Sequence, residues 1–394
     1  MDIRKRVEEI EGELIAMRRD FHRHPENSWE EVRTQQKIIE RLEMLGIPCC
    51  KAAKTGVLAT IKGSHASGPV IGLRADIDAL AVSEESGVDF CSEEEGCMHA
   101  CGHDTHISIL LAAAEILNEM KEELNVTVRL IFQPAEEYIA DCGAPYMNRE
   151  PLVQECERLV ALHIWSKLES GYASLRYGPV MAAADTFDLW IKGQGGHGAL
   201  PHQTIDPVVA GAELVNALQK VVSREVDPLD PAVISITSFQ AGTSANVIPD
   251  SAHLMGTART FNTELRERFP EMIDRIAQGV AASTRTEIRL DYHRGPRPTI
   301  NDRACTDTGL RAAKEVFGED HLVEFPLQMS GEDFSLYDNP KCLMLLGGGD
   351  PDESLRYAQH NPHFIIREEA LKLGVEYFVR YVAEYSKEHA PEGK

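Results

Sequence analysis

Val126-Thr-Val-Arg-Leu-Ile-Phe-Gln-Pro-Ala-Glu-Glu137 is an apolar, β-branched run that meets a proline and ends on two adjacent carboxylates. Val126 to Phe132 reads as a buried strand. A pair of charges at the end of such a strand is costly to bury without a partner. Adjacent side chains point different ways, so one carboxylate can bind a metal while the other acts as a base. An exposed acidic loop is the competing reading. The pattern recurs on both sides. Val70 to Leu73 is a short buried strand running into Arg74-Ala-Asp-Ile-Asp78, and Leu159 to Ile164 is another, with His163 near its end. Between them Ile107, Leu110, Leu111, Ala114, Leu117 and Met120 form the stripe of a helix that opens near Asp104. Strands alternating with helices predict an α/β fold built on a mostly parallel sheet. Sites in such sheets lie beyond the carboxyl ends of the strands, where Asp76, Glu136, Glu137 and His163 all fall.

From about Asp185 the pattern changes. Thr186 to Ile191, Ala232 to Phe239, Ser251 to Thr260 and Glu287 to His293 read as strands. Helices run from Asp206-Pro207 to about Ser223 and from Glu264 to Ala282. The order β-α-β-β-α-β is the ferredoxin-like arrangement. The expected division is a discontinuous catalytic domain, 1–183 and 297–394, carrying an inserted α+β domain at 184–296. A helix near Ala304 to Phe317, a strand at Leu343 to Leu346 and a helix from Glu368 on complete the larger domain.

A chain of 394 residues with 43% apolar content is large enough for two or three domains. Its net charge of −23, with no basic stripe to offset it, argues against nucleic acid or an anionic membrane as partner. Met1-Asp-Ile-Arg-Lys-Arg-Val-Glu-Glu is a charged helix and not an export signal. The most apolar helical stretch, Ile107 to Leu117, is too short to span a bilayer. Nine cysteines, an odd number, fit reduced thiols. A cytoplasmic protein is expected.

The densest chemistry lies in Cys97-Met-His-Ala-Cys-Gly-His-Asp-Thr-His106: two cysteines, three histidines and an aspartate. In a turn before a helix, Cys101 and His103 can reach a metal. A local structural zinc site is one alternative, although such sites use two ligand pairs separated by a longer loop. Unrelated cap and core residues are the other. His163, in an apolar run, reads alone as a core histidine. His360-Asn-Pro-His-Phe364 and Gly195-Gly-His-Gly198 are weak singly. Their number, and their placement at strand ends, carries the reading.

Ten motifs in order then give the chain a likeness. They are His22-Arg-His-Pro-Glu26, Leu73-Arg-Ala-Asp-Ile-Asp-Ala-Leu80, Met98-His-Ala-Cys-Gly-His-Asp-Thr-His106, Phe132-Gln-Pro-Ala-Glu-Glu137 and Leu162-His-Ile-Trp165. Gly195-Gly-His-Gly-Ala-Leu-Pro-His202, Ser244-Ala-Asn-Val-Ile-Pro-Asp250, Gly256-Thr-Ala-Arg-Thr-Phe261, Met329-Ser-Gly-Glu-Asp-Phe334 and His360-Asn-Pro-His-Phe364 follow. The chain resembles, nearly end to end, the dinuclear metal amidohydrolases that include aminoacylases, hippurate hydrolases, auxin-conjugate hydrolases and related carboxypeptidases. The resemblance implies two divalent metal ions per chain, with Cys101, His103, Glu137, His163 and His360 as ligands and Glu136 as general base. It implies that His197 is a catalytic histidine of the inserted lid domain, that Asn246 and Arg259 hold the substrate, and that Asp78 supports the ligands. It also implies a homodimer formed through the lid. Two positions depart from the pattern. Ala81 stands where a proline is usual, and Tyr138-Ile-Ala-Asp-Cys-Gly143 replaces a glycine-rich stretch after the paired glutamates, so the substrate pocket is not carried over.

The implied reaction is hydrolysis of N-acyl-L-amino acids by a water that two metal ions, about 3.5–4 Å apart, share and acidify. Thiolate, imidazole and carboxylate ligands suit zinc, manganese, cobalt or nickel. A metallo-carboxypeptidase acting on dipeptides or short peptides is the nearest rival. A nucleobase-type zinc deaminase would need His-x-Glu and a later Pro-Cys-x-x-Cys, which the chain lacks.

Overall fold

The computed structural model describes residues 1–64 and 68–390. They divide into two compact units. The first holds Met1–Gly178, Ile300–Pro326 and the chain from Leu336 on, and the second holds Pro179–Thr299 and Leu327–Ser335.

The first unit is built on a seven-stranded sheet in the spatial order Cys49–Ala52, Gly56–Lys62, Thr127–Gln133, Val70–Asp76, Arg158–Glu169, Lys341–Gly349 and Ala173–Ser174. The strands from Thr127–Gln133 to Lys341–Gly349 run parallel. The strands toward both edges pair antiparallel. Every residue of Thr127–Gln133 is buried, as expected of a strand covered on both faces. The helix His103–Glu119 is apolar nearly all round, with Ile107 through Ala114 fully sequestered. It contacts the helices Ile3–Arg23 and Glu369–Glu388. A helix apolar on every side is a core helix, and its position places its first residue, His103, at the buried end of the sheet.

The hairpin Cys49–Lys62 was not anticipated from the residues. Its turn puts Ala53 and Lys54 at positive φ (41° and 63°), with neither glycine nor asparagine at either position to signal it. Its strands, like the short strand Ala173–Ser174, contribute the antiparallel part of the sheet.

The second unit contains a four-stranded antiparallel sheet in the order Ala232–Ala241, Ser251–Thr260, Asp185–Lys192, Glu287–His293. Helices Pro207–Lys220 and Thr263–Thr284 pack on one face around Phe187, Leu189, Ile191, Leu214, Leu254 and Phe269. Asp206 caps the first helix by accepting from the amides of Val208 and Val209. Whereas 184–296 was expected as one continuous insertion, this unit begins at Pro179 and takes in Leu327–Ser335. Backbone hydrogen bonds from Ala182 N–H to the carbonyls of Gln328 and Ser330 tie that segment in, a link that no local pattern announces. Among the described residues no helix is long and apolar enough to cross a membrane.

The neighbouring parallel strands Arg158–Glu169 and Lys341–Gly349 and the loop after Glu169 meet at Gly347. A Cβ there would lie 2.0 Å from the carbonyl oxygen of Glu169 and 2.7 Å from that of Tyr172. Gly347→Ala is therefore expected to lower stability by about 1–3 kcal/mol, the scale of core overpacking, as a fall in the urea midpoint. An unchanged midpoint would mean that the strand can retreat.

Candidate metal centre

In the first unit, residues distant in sequence meet beyond the carboxyl ends of the parallel strands. Asp76 ends Val70–Asp76, Glu136 and Glu137 follow Thr127–Gln133, and His163 lies within Arg158–Glu169. His103 opens its helix, and the preceding Gly102 has φ 89°. A Cβ on Gly102 would stand 2.4 Å from Ile164 Cγ2, so glycine meets both the left-handed conformation and the close approach. His360, at φ 66°, is held by its amide donating to the carbonyl of Ala100 (2.8 Å).

Hydrogen bonds decide which imidazole nitrogens face inward. His103 Nδ1 lies 2.9 Å from the carbonyl of Asp78, and His163 Nδ1 lies 2.7 Å from that of Ile164. With the proton on Nδ1 donated to a carbonyl, each Nε2 keeps its lone pair for a ligand. His163 Nε2 is 3.5 Å from Cys101 Sγ, and His360 Nε2 is 3.3 Å from Glu137 Oε1. His106 is different, since both its nitrogens are spent. Its Nε2 accepts from the amide of Ile164 (2.8 Å), which leaves Nδ1 to donate to Asp76.

Two sets of ligand atoms share one member. Cys101, His103 and His163 lie within 4.8 Å of one another, as do Cys101, Glu137 and His360. The buried atoms His103 Nε2 and Glu137 Oε1 have no hydrogen-bond partner among the described residues. Orphaned buried donors and acceptors are rare in native proteins and point to an unseen ion or water. The electrostatics agree. Burial pushes the Cys101 thiol well above its usual range, and the charges of Glu137 and Glu136 push it further. Burial lowers the His103 imidazole, but the Asp76, Asp78 and Glu137 carboxylates overcome it and raise the group to about 10. A pocket that draws protons in this way fits cations, and a soft thiolate with imidazoles and a carboxylate fits divalent transition metals.

Asp78 braces the cluster. Its carboxylate accepts from Ser28 Oγ (2.7 Å) and from the amide of Glu137 (3.0 Å), and one of its oxygens is 3.3 Å from His103 Nδ1. Burial alone would raise this carboxyl; the hydrogen bond and charge of His103 outweigh it and hold it below the ordinary value. Two further supports act on the centre. Asp76, at the end of its strand as expected, pairs with His106, a contact made only when the helix lies against the strand. Glu31 has no local signal at all. Buried completely, it accepts from Thr55 Oγ1 (2.6 Å) and from the amide of Ala135 (2.8 Å). Burial, then the charge of Asp78, raise its carboxyl to about 7. It thereby holds Ala135, at φ 52°, directly before the paired glutamates.

His197, Asn246 and Arg259 belong to the second unit. His197 is exposed on the short strand Gly196–His197, which pairs with Val247–Ile248. The amide of Gly198 donates to the carbonyl of Asn246 (2.9 Å), so His197 and Asn246 lie on one ribbon. Arg259 lies on Ser251–Thr260 and donates to the carbonyls of Asp185 (3.0 Å) and Ala258 (3.2 Å).

The family model described as peptidase family M20/M25/M40 matches residues 72–384. The chain belongs to this family. It is 40% identical, over 93% of its length and 94% of the relative's, to a Bacillus subtilis protein named N-acetylcysteine deacetylase. It is 42% identical to an N-acyl-L-amino acid amidohydrolase of Geobacillus stearothermophilus, over 79% of this chain and 85% of that one. A solved Bacillus subtilis structure, described as a dinuclear metal binding peptidase of the M20 family, superposes with a TM-score of 0.83 at 37% identity, covering 96% of this chain and 99% of the other. The chain is a metal-dependent amidohydrolase.

Because Asp78 grips both His103 and the backbone of Glu137, Asp78→Ala is expected to weaken divalent-metal affinity by about 10–100-fold with the fold retained. Metal titration by calorimetry, with circular dichroism as control, reads this. Unaltered affinity would reduce Asp78 to a packing residue.

Proposed function

We propose that this amidohydrolase cleaves the amide bond of N-acyl-L-amino acids to a carboxylic acid and a free amino acid. In this reading Cys101, His103, Glu137, His163 and His360 would hold two divalent ions. The observation that carries it is that one buried thiol belongs to two ligand sets, each holding a buried atom, His103 Nε2 or Glu137 Oε1, that makes no hydrogen bond among the described residues. The relatives' names support the substrate class. Zinc, manganese, cobalt and nickel all suit the donors.

Ions bound there supply Lewis acidity, which acidifies water and polarises an amide carbonyl. The chain's residues do the rest. Glu136 takes a proton from the water that attacks the acyl carbon. It delivers that proton to the amide nitrogen as the C–N bond breaks, so the amine leaves neutral. The His197 imidazole donates a hydrogen bond to the oxygen that gains charge, and Asn246 and Arg259 hold the substrate. Asp78 and Glu31 keep His103 and the backbone at Ala135 in place.

The peptidase description of the family favours one rival, hydrolysis of dipeptides at the same centre. Chelated protein reloaded with each metal in turn, then assayed on N-acetyl-methionine, N-benzoyl amino acids and dipeptides, separates the two. Faster turnover of dipeptides would install the rival, and full activity in verified metal-free protein would end both.

Glu136→Gln is expected to keep metal content and fold but to lower turnover at least about a hundredfold, the scale of a lost general base. Glu137→Gln should lower metal content instead. Swapped phenotypes would exchange the two roles.

The 184–296 segment acts as a lid and forms a two-fold dimer in this reading, with His197 serving the partner's site. Glu136→Gln and His197→Ala homodimers should each be nearly inactive. When the two are refolded together, random pairing makes half the dimers mixed. Each mixed dimer carries one intact site, so activity should return to roughly a quarter of wild type. No recovery, with mixed dimers demonstrated, would place His197 in the site of its own chain.

A further inference from the structure

The segment that follows the paired glutamates closes on itself. Gly143 donates its amide to the carbonyl of Ala135 (2.9 Å). A Cβ at Gly143 would lie 1.8 Å from the carbonyl oxygen of Pro134, so the two ends of the loop are latched at a position only glycine fits. At its tip Ile139–Asp141 forms one 3-10 turn, closed by the amide of Asp141 donating to the carbonyl of Tyr138 (2.9 Å). The turn is pinned from outside. The indole N–H of Trp29 donates to the carbonyl of Asp141 (2.8 Å), and the Tyr146 hydroxyl donates to its carboxylate (2.8 Å). Those two rings meet edge to face at 5.1 Å, and the Lys54 ammonium stands 4.0 Å above the Trp29 ring.

These anchors hold Asp141 and the backbone. They leave the side chains of Tyr138 and Ile139 facing outward, 50% and 44% exposed. Single exposed apolar residues are ordinary on protein surfaces. Two features set this pair apart. They directly follow Glu137 in the chain, and they ride on a turn whose backbone is already fixed, so only their side chains remain to be ordered on binding. Apolar side chains on a fixed backbone beside a polar reaction centre are one way small-molecule sites select a substrate.

We propose that Tyr138 and Ile139 form the specificity wall of this chain, receiving a large apolar group carried on one side of the scissile amide, so that aromatic or branched N-acyl amino acids are preferred over small ones. This rests on the amidohydrolase reading above. The group can sit on the acyl side or on the amino-acid side, and two substrate series tell them apart. One varies the acyl group on alanine from acetyl to benzoyl, and the other varies the amino acid in N-acetyl compounds from alanine to phenylalanine.

The test measures kcat/KM for both series in the wild-type metalloenzyme, in Tyr138→Ala/Ile139→Ala and in Tyr138→Phe. Wild type should favour the large member of one series. In the double variant that large-to-small ratio should fall by about tenfold or more, the discrimination expected of an apolar pocket, mainly through KM. Tyr138→Phe, which keeps the ring, should preserve the ratio. Both positions are exposed, and circular dichroism with metal content controls for folding. Ratios unchanged in the double variant, or a uniform loss across both series, overturn the wall while the amidohydrolase reading stands. Failure of wild type to hydrolyse any of the amides overturns that reading and the wall with it.

Discussion

The carboxylate of Asp78 joins parts of the centre that lie far apart in the chain. It meets the hydroxyl of Ser28, the backbone amide of Glu137 and the ring of His103, groups supplied by a loop, a strand end and a helix start. None of these positions is fixed by its own local structure. Buried, the carboxylate has no water to turn to, so its partners must stay in place. Fixing them fixes the direction of His103 Nε2 and the placement of Glu137 Oε1, two buried atoms that make no hydrogen bond among the described residues. Order in one part of the cluster thus leaves a defined deficit in another, and that deficit has the shape and sign of a cation.

Much of this was readable beforehand because the chemistry sits where regular elements end. The parallel strands Val70–Asp76 and Thr127–Gln133 are continuous apolar runs, and such runs stop at residues that cannot belong to a core. Glu136 and Glu137 stood out for that reason, and the Cys101–His103 turn for its density of cysteine and histidine. What stayed hidden depends on contacts between distant segments. Glu31 is one glutamate among many in an acidic chain, and nothing local separates it from a surface residue. The hairpin turn at Ala53 and Lys54 lacks the residue types that mark positive φ. His106 lies in the same histidine-rich stretch, and its role as a strut follows only from the amide of Ile164 and the carboxylate of Asp76 taking both its nitrogens. In the second unit, patterning was a good guide to the strands Ser251–Thr260 and Glu287–His293, where an apolar face alternates with a polar one. It could not indicate that Leu327–Ser335 joins the same unit, because that link is made by backbone groups.

The latch between Ala135 and Gly143 separates two demands that a single loop would otherwise set against each other. The backbone before Glu136 is held by Glu31 and by the latch, both at the base of the loop, whereas the tip is held through Asp141 by Trp29 and Tyr146. Replacement of tip side chains therefore leaves the geometry of the glutamates alone. A lineage carrying this arrangement can change what it recognises by single substitutions at the tip, without first passing through variants that have lost their chemistry.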